Sequence, residues 1–186
     1  VNLSRTYGVT KSGFNLVGNP YPSYLNWDAV TKSNVESTIW YRTKVSGVYK
    51  FGTYNATSQI GANVGVNDTD LKDIVTGNIP PFQAFWVRVK PAILAHDTIG
   101  AIVFGNTMRA HKATQSQGDG QTYNDALLRV RSGSDLAQKV LRLEVSNGIN
   151  SDETIILFNT NASNSLDDYD SPKMTNANPT IPEIYT

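Results

Sequence analysis

The sequence of 186 residues has no cysteine, and its sixteen basic residues balance sixteen acidic ones. The missing cysteine excludes a disulfide framework, thiol catalysis and thiolate metal sites. It says nothing against secretion, because a secreted chain need not be disulfide-bonded. The balanced charge removes any electrostatic reason to expect nucleic acid or an anionic membrane surface as partner. No apolar run approaches the ~20 residues of a spanning helix, so no membrane insertion by a helix is expected. The longest runs, such as Ile99 to Gly105, are strand-sized. Charged residues make up only 17% of the chain. Asn, Ser and Thr cover the surface instead, at roughly a quarter of all residues where ordinary proteins carry about 25% charged ones. A surface of amides and hydroxyls fits an extracellular β protein.

Catalytic groups are equally scarce. The histidines are His96 and His111 alone. His96 and Asp97 are adjacent, which in a strand or turn would aim their side chains apart, and no G-x-S-x-G elbow supplies a nucleophile. Two histidines without cysteine are a poor start for zinc. The glutamates are Glu36, Glu144, Glu153 and Glu183, and nothing in their spacing sets a pair of carboxylates across a cleft as glycoside hydrolysis requires. The sequence reads as non-enzymatic.

What is present is a run of short β signals. The length allows one large or two small domains, with a core that needs no staples. In 139–145, Leu141, Leu143 and Val145 alternate with Arg142 and Glu144, and 128–131 alternates likewise, which suits an antiparallel hairpin. Residues 154–158 are apolar throughout and read as a strand buried on both faces. Further strands are expected at 14–17, 38–42, 47–54, 82–89 and 101–104. In 82–89, Phe85, Val87 and Val89 form one face and Phe82, Ala84 and Trp86 the other, the pattern of a central strand. Ser46-Gly47 and the clusters at 18–22 and 77–81 are turn signals. Leu71, Ile74 and Val75 follow Asp68 and Thr69 at helical spacing and predict a short helix. Residues 114–125 (TQSQGDGQTYND) are polar, without apolar period, and predict a boundary. The expected architecture is all-β, an antiparallel β-sandwich of jelly-roll-like type. It divides into two modules, 1–113 and 114–186. The second is expected to stop short, because 181–186 reads as a strand just beginning. Val1 follows no readable leader, so the chain is expected to be a processed or excised piece.

The residues Gly13-Phe14-Asn15-Leu16-Val17-Gly18-Asn19-Pro20-Tyr21-Pro22-Ser23, then Asn26-Trp27-Asp28, resemble a "GWNLVGNPYPS…DWD" signature. Residues 37–42 (STIWYR), 79–87 (IPPFQAFWV), 102–106 with Arg109, 141–158, 166–173 and 182–185 continue the same order across nearly the whole chain. The signature belongs to large Bacteroidota proteins exported by the type IX system, in the region before their C-terminal sorting domain. Gly13-Phe14 stands where Gly-Trp is commoner. The resemblance implies an extracellular or cell-surface setting and a structural or adhesin-like role beside neighbouring domains of the same polypeptide. It brings no catalytic residues. Alternatives are a carbohydrate-binding accessory module of a secreted hydrolase, and an assembly subunit completed by a strand from another chain.

Candidate sites follow from residue chemistry. Tyr21, Tyr24 and Trp27 lie on one expected loop and read first as a cap on the core, second as a platform for surface glycans. Asp68, Asp70 and Asp73, and again Asp167, Asp168 and Asp170, are closely spaced carboxylates of the kind calcium uses, without an EF-hand or nonapeptide spacing. Apart from calcium no cofactor is expected. Asn55-Ala56-Thr57, Asn67-Asp68-Thr69 and Asn161-Ala162-Ser163 fit the N-glycosylation pattern. Asp97-Thr98-Ile99 resembles the O-linked site of the same bacterial group, with Thr98 as acceptor.

Overall fold

A computed structural model describes residues 1–64, 74–110 and 139–186. The fold is all-β, with thirteen strands and no α-helix among the described residues. The strands are β1 (Asn2–Ser4), β2 (Phe14–Gly18), β3 (Tyr24–Asn26), β4 (Thr31–Ser33), β5 (Thr38–Val45), β6 (Val48–Asn55), β7 (Ile60–Gly61), β8 (Asn78–Ile79), β9 (Ala84–Arg88), β10 (Ile99–Val103), β11 (Arg109–Ala110), β12 (Lys139–Ser146) and β13 (Asn150–Phe158). Two three-stranded sheets, β1-β10-β4 and β11-β3-β8, contribute to the same core as a seven-stranded sheet. That sheet runs β12-β13-β6-β5-β9-β2, with β7 beside β6. Its pairings are antiparallel except β13 on β6, which meet in parallel at Asn150↔Tyr49 and Ser151↔Lys50.

Local chemistry explains the central hairpin. Ser46 and Gly47 both have positive φ, at 49° and 90°. This two-residue loop of left-handed type matches the twist of the strands it joins. It sets a full register from Thr38↔Asn55 to Val45↔Val48. Alternation then sorts the side chains. Ile39 and Tyr41 of β5 and Phe85 and Val87 of β9 point inward with Leu3, Leu25, Ile79 and Ile102 of the small sheets. β9 lies between β5 and β2, the central place expected of it, but only its Phe85 and Val87 face is fully buried, with Ala84 exposed and Trp86 partly so.

Several expectations are corrected. Phe82 is outside β9 and stands 70% exposed. Ile74 and Val75 are not helical: Ile74 bridges Asn63 and the Val75 amide donates to the Ala62 carbonyl. The crossing there is so close that a Cβ on Gly61 would fall 1.8 Å from the Val75 carbonyl oxygen. Tertiary pairing overrides the local helical spacing. The 154–158 run is only half-buried, and Phe158 is exposed. Residues 181–186 join no strand. The segments 128–131 and 114–125 lie outside the described residues.

From Asn159 onward the chain forms no strand and crosses the outer side of the large sheet on polar ties. The Asn55 carboxamide donates to the Asp168 and Asp170 carbonyls, and Thr38 Oγ1 meets Ser171 Oγ at 2.9 Å. Asp152, itself buried, accepts from Lys173 Nζ and from the Ile184 amide.

Candidate functional site

The signature residues meet at one end of the sandwich, where 18–23 approaches 78–83. Neither Gly18 nor Asn19 has the positive φ expected of a turn there. The Asn19 side chain does the holding instead. Its Nδ2 donates to the carbonyls of Ser23, Ile79 and Pro80 at 2.8, 3.1 and 2.9 Å. Its Oδ1 accepts from the Tyr21 amide. Its backbone N–H donates to the Gln83 carbonyl. Asn19 is 2% exposed, so its own carboxamide is satisfied by protein groups rather than by water.

Trp27 is wholly buried, edge-on to Phe85 at 5.8 Å between ring centroids, and its Nε1 donates to the Ser37 carbonyl. A sugar cannot reach either face of that ring, which corrects its place in the glycan platform. Tyr21 and Tyr24 are partly buried, and Tyr21 packs against the core under the Arg109 guanidinium, 5.5 Å from the ring. Arg109 Nε donates to Ser23 Oγ at 2.9 Å. Lys32 lies 4.4 Å over the Trp27 ring and donates to the Trp27 and Val30 carbonyls. Desolvation lowers its pKa, against the pull of Asp28. Asp28 stands at the surface as a residue, but its carboxylate turns in to accept from Tyr54 Oη. Desolvation raises its pKa, against the Tyr54 hydrogen bond and the Lys32 charge.

Buried charge elsewhere holds loops. Arg5 donates to the carbonyls of Val9, Thr10, Ser12 and Val89, and Arg88 adds bonds to Thr10 and Ser12. Glu36 is 6% exposed. Burial raises its pKa, against the nearby charges of Arg88, Lys90 and Arg5 and with that of Asp168.

The carboxylates at 167–170 do not converge. Asp167 caps the amides of Ser163 and Tyr169, Asp170 caps that of Asp167, and Asp168 pairs with Lys90 at 2.5 Å. Among the described residues no three His, Cys, Asp or Glu side chains are grouped to hold a metal. Asp68, Asp70, Asp73, His111 and Asn67 lie outside them. His96 and Asp97, expected to diverge, meet at 3.1 Å in a surface 3-10 turn. Thr98 ends that turn half-buried, and its carbonyl accepts from the Arg5 amide. Asn55 is 3% exposed and fully engaged, so it offers no acceptor for a glycan, whereas Asn161 is exposed.

A cleft of about 540 Å³ opens between β6, β13 and the C-terminal segment, with Trp40, Phe51, Ile156, Tyr169 and Tyr185 on its walls. Its acids are engaged: Asp152 by Lys173, Glu153 by Arg142 and the Asn63 amide.

The family described as Domain of unknown function (DUF8693) matches residues 2–185. The chain belongs to this family. No curated protein and no solved structure matches it. The family match therefore spans both the sandwich core and the C-terminal segment, and assigns neither a chemistry. Sequence reasoning missed Asn19 as a clamp and Phe82 as a surface residue. An Asn preceding Pro, and a Pro-Pro followed by a residue that must take the third place of a turn, were the available signals.

Proposed function

We propose that the chain is a non-catalytic, structural or adhesin-like β-sandwich region of a large secreted or cell-surface protein, of the kind its resemblance to type IX cargo implies. One observation carries the reading. The polar residues of the signature turn inward and tie carbonyls together: Asn19 joins two loops, and the Trp27 indole holds Ser37. Side chains so engaged build a rigid spacer, whereas catalytic groups would face a cleft. The test is location. Antibodies to the purified chain are expected to label intact cells of the source organism; labelling only after permeabilisation overturns the reading.

A second reading, an assembly subunit completed by another chain, is favoured by β13. Beyond Ser151 no described strand pairs with it on the side away from β12. Open edges of this kind accept an added strand. Sedimentation velocity over a wide concentration range separates the two: growing oligomers favour assembly by strand addition, and a monomer throughout rejects self-assembly.

A further inference from the structure

Strand β13 carries a row of backbone groups that nothing pairs. In a strand each residue aims its N–H and C=O to one side, and the next residue aims them to the other. The Ile149 carbonyl accepts from the Tyr49 amide of β6, whereas the Asn150 carbonyl accepts from Asn147 on the β12 side of the hairpin. Even-numbered residues of β13 therefore bond to β12, and odd-numbered ones face away from it. Pairing with β6 ends at Ser151↔Lys50. Past that point the N–H and C=O of Ile155 and Leu157 meet no partner among the described residues. Such a row is a template for one more strand.

The cleft of about 540 Å³ lies against this row. Every residue of 152–157 lines it, and no residue of β12 does. Consecutive side chains point to opposite faces of a sheet. A cleft lined by all of them, and by none of the neighbouring strand, therefore faces the edge of β13. Its floor is the outer face of β5 and β6, where Trp40 stands opposite Thr53 and Phe51 follows on the same side. Its far wall is the C-terminal segment. That segment makes no backbone hydrogen bond to 152–158 and is tied instead to the Asn55 and Thr38 side chains. The volume is in the range of sites that hold a ligand. Asp152 and Glu153 are already paired, with Lys173 and Arg142, so neither offers a charge to an occupant. The cleft thus presents backbone donors and acceptors at every second residue, about 7 Å apart, beside an aromatic floor. An extended peptide matches that spacing, and the side chains on one of its faces would rest on Trp40 and Phe51.

We infer that this cleft binds an extended, uncharged segment of another polypeptide with apolar side chains at alternate positions, added as a strand to the edge of β13. Main-chain hydrogen bonds to Ile155 and Leu157 supply the affinity, and the floor of Trp40 and Phe51 selects the side chains. The inference rests on the strand-completion reading above and names the place and the donor.

Amide hydrogen exchange on the full chain tests it, with a capped heptapeptide of alternating threonine and valine as probe. In the free chain the Ile155 and Leu157 amides should exchange fast, and the Ile156 amide, bonded to β12, slowly. Protected Ile155 and Leu157 amides in the free chain mean a closed edge, and overturn the strand-completion reading and this inference together. With the probe, both amides should exchange more slowly by about tenfold or more. Fast exchange that the probe leaves unchanged overturns this inference alone, because the edge is then open and the cleft is not a receptor. The same peptide N-methylated at every residue donates no backbone hydrogen bond and should protect neither amide; equal protection by it overturns strand addition. Leu157→Pro removes an edge donor but no bond to β12, so the chain should stay folded and bind the probe more weakly by about fivefold or more. Undiminished binding by this variant rejects the site, and the methylated peptide probes the same bonds without altering the chain.

Discussion

The two ends of the chain are held to the same sheet by different forces. Residues before 110 close around fully buried Trp27, Phe85, Ile39, Leu25 and Ile79. Residues after 139 keep Leu141, Leu143 and Phe158 at least 40% exposed and attach through a short backbone pairing of β13 with β6 and through side-chain hydrogen bonds and ion pairs. Apolar burial is non-directional and summed over many contacts, so it resists local opening. A set of polar ties opens one region at a time, because each tie exchanges readily with water. Stability should therefore be high and cooperative in the first part and local in the second.

The sharpest way to break this contrast is Trp27→Ala, expected to cost about 3–5 kcal/mol by emptying the core; calorimetry should show the main transition lost or strongly lowered. Asn19→Ala removes the donor that ties the Ser23, Ile79 and Pro80 carbonyls together and should cost about 2–3 kcal/mol, read in the same transition. Asp152→Ala releases both Lys173 and the Ile184 amide. Limited proteolysis should then cut within 159–186 early, while the main transition scarcely moves; a large drop in that transition would erase the distinction between the two parts. Glu36→Gln tests a buried carboxyl. The Glu36 pKa is raised above its ordinary 4.5, so its contribution is full below that value and is lost as pH rises through the folded pKa. The native chain should lose stability from about pH 4.5 upward on this account, and the glutamine variant should give a flatter profile of melting temperature against pH. Lys90→Ala breaks a largely exposed pair with Asp168 and removes one of several charges near Glu36, and should change stability by less than about 1 kcal/mol.

These predictions rest partly on features open to reading in the sequence. β5 and β6 were legible because alternation and the Ser46-Gly47 turn are local and agree with each other. β9 was legible through Phe85, Val87 and Val89. The two- and three-residue strands β1, β3, β4, β7, β8 and β11 were not, because nothing local fixes so short an element; partners distant in sequence do. Ile74 and Val75 misled for the same reason. At the candidate site, the aromatic cluster was visible but its orientation was not. Trp27 and Phe82 look equally apolar on paper, and the fold buries the first and holds out the second.

The Val1 amino group donates to the Ile102 carbonyl, 101 residues away, and β1 lies along β10 in the same register. That seam has a consequence in time. A growing chain cannot zip its first strand until nearly a hundred further residues have emerged, and closing so long a loop is entropically costly before any contact repays it. Leu3 must wait uncovered while the rest of the core assembles. The small sheet it completes is thus a late step, and the chain should fold slowly for its size.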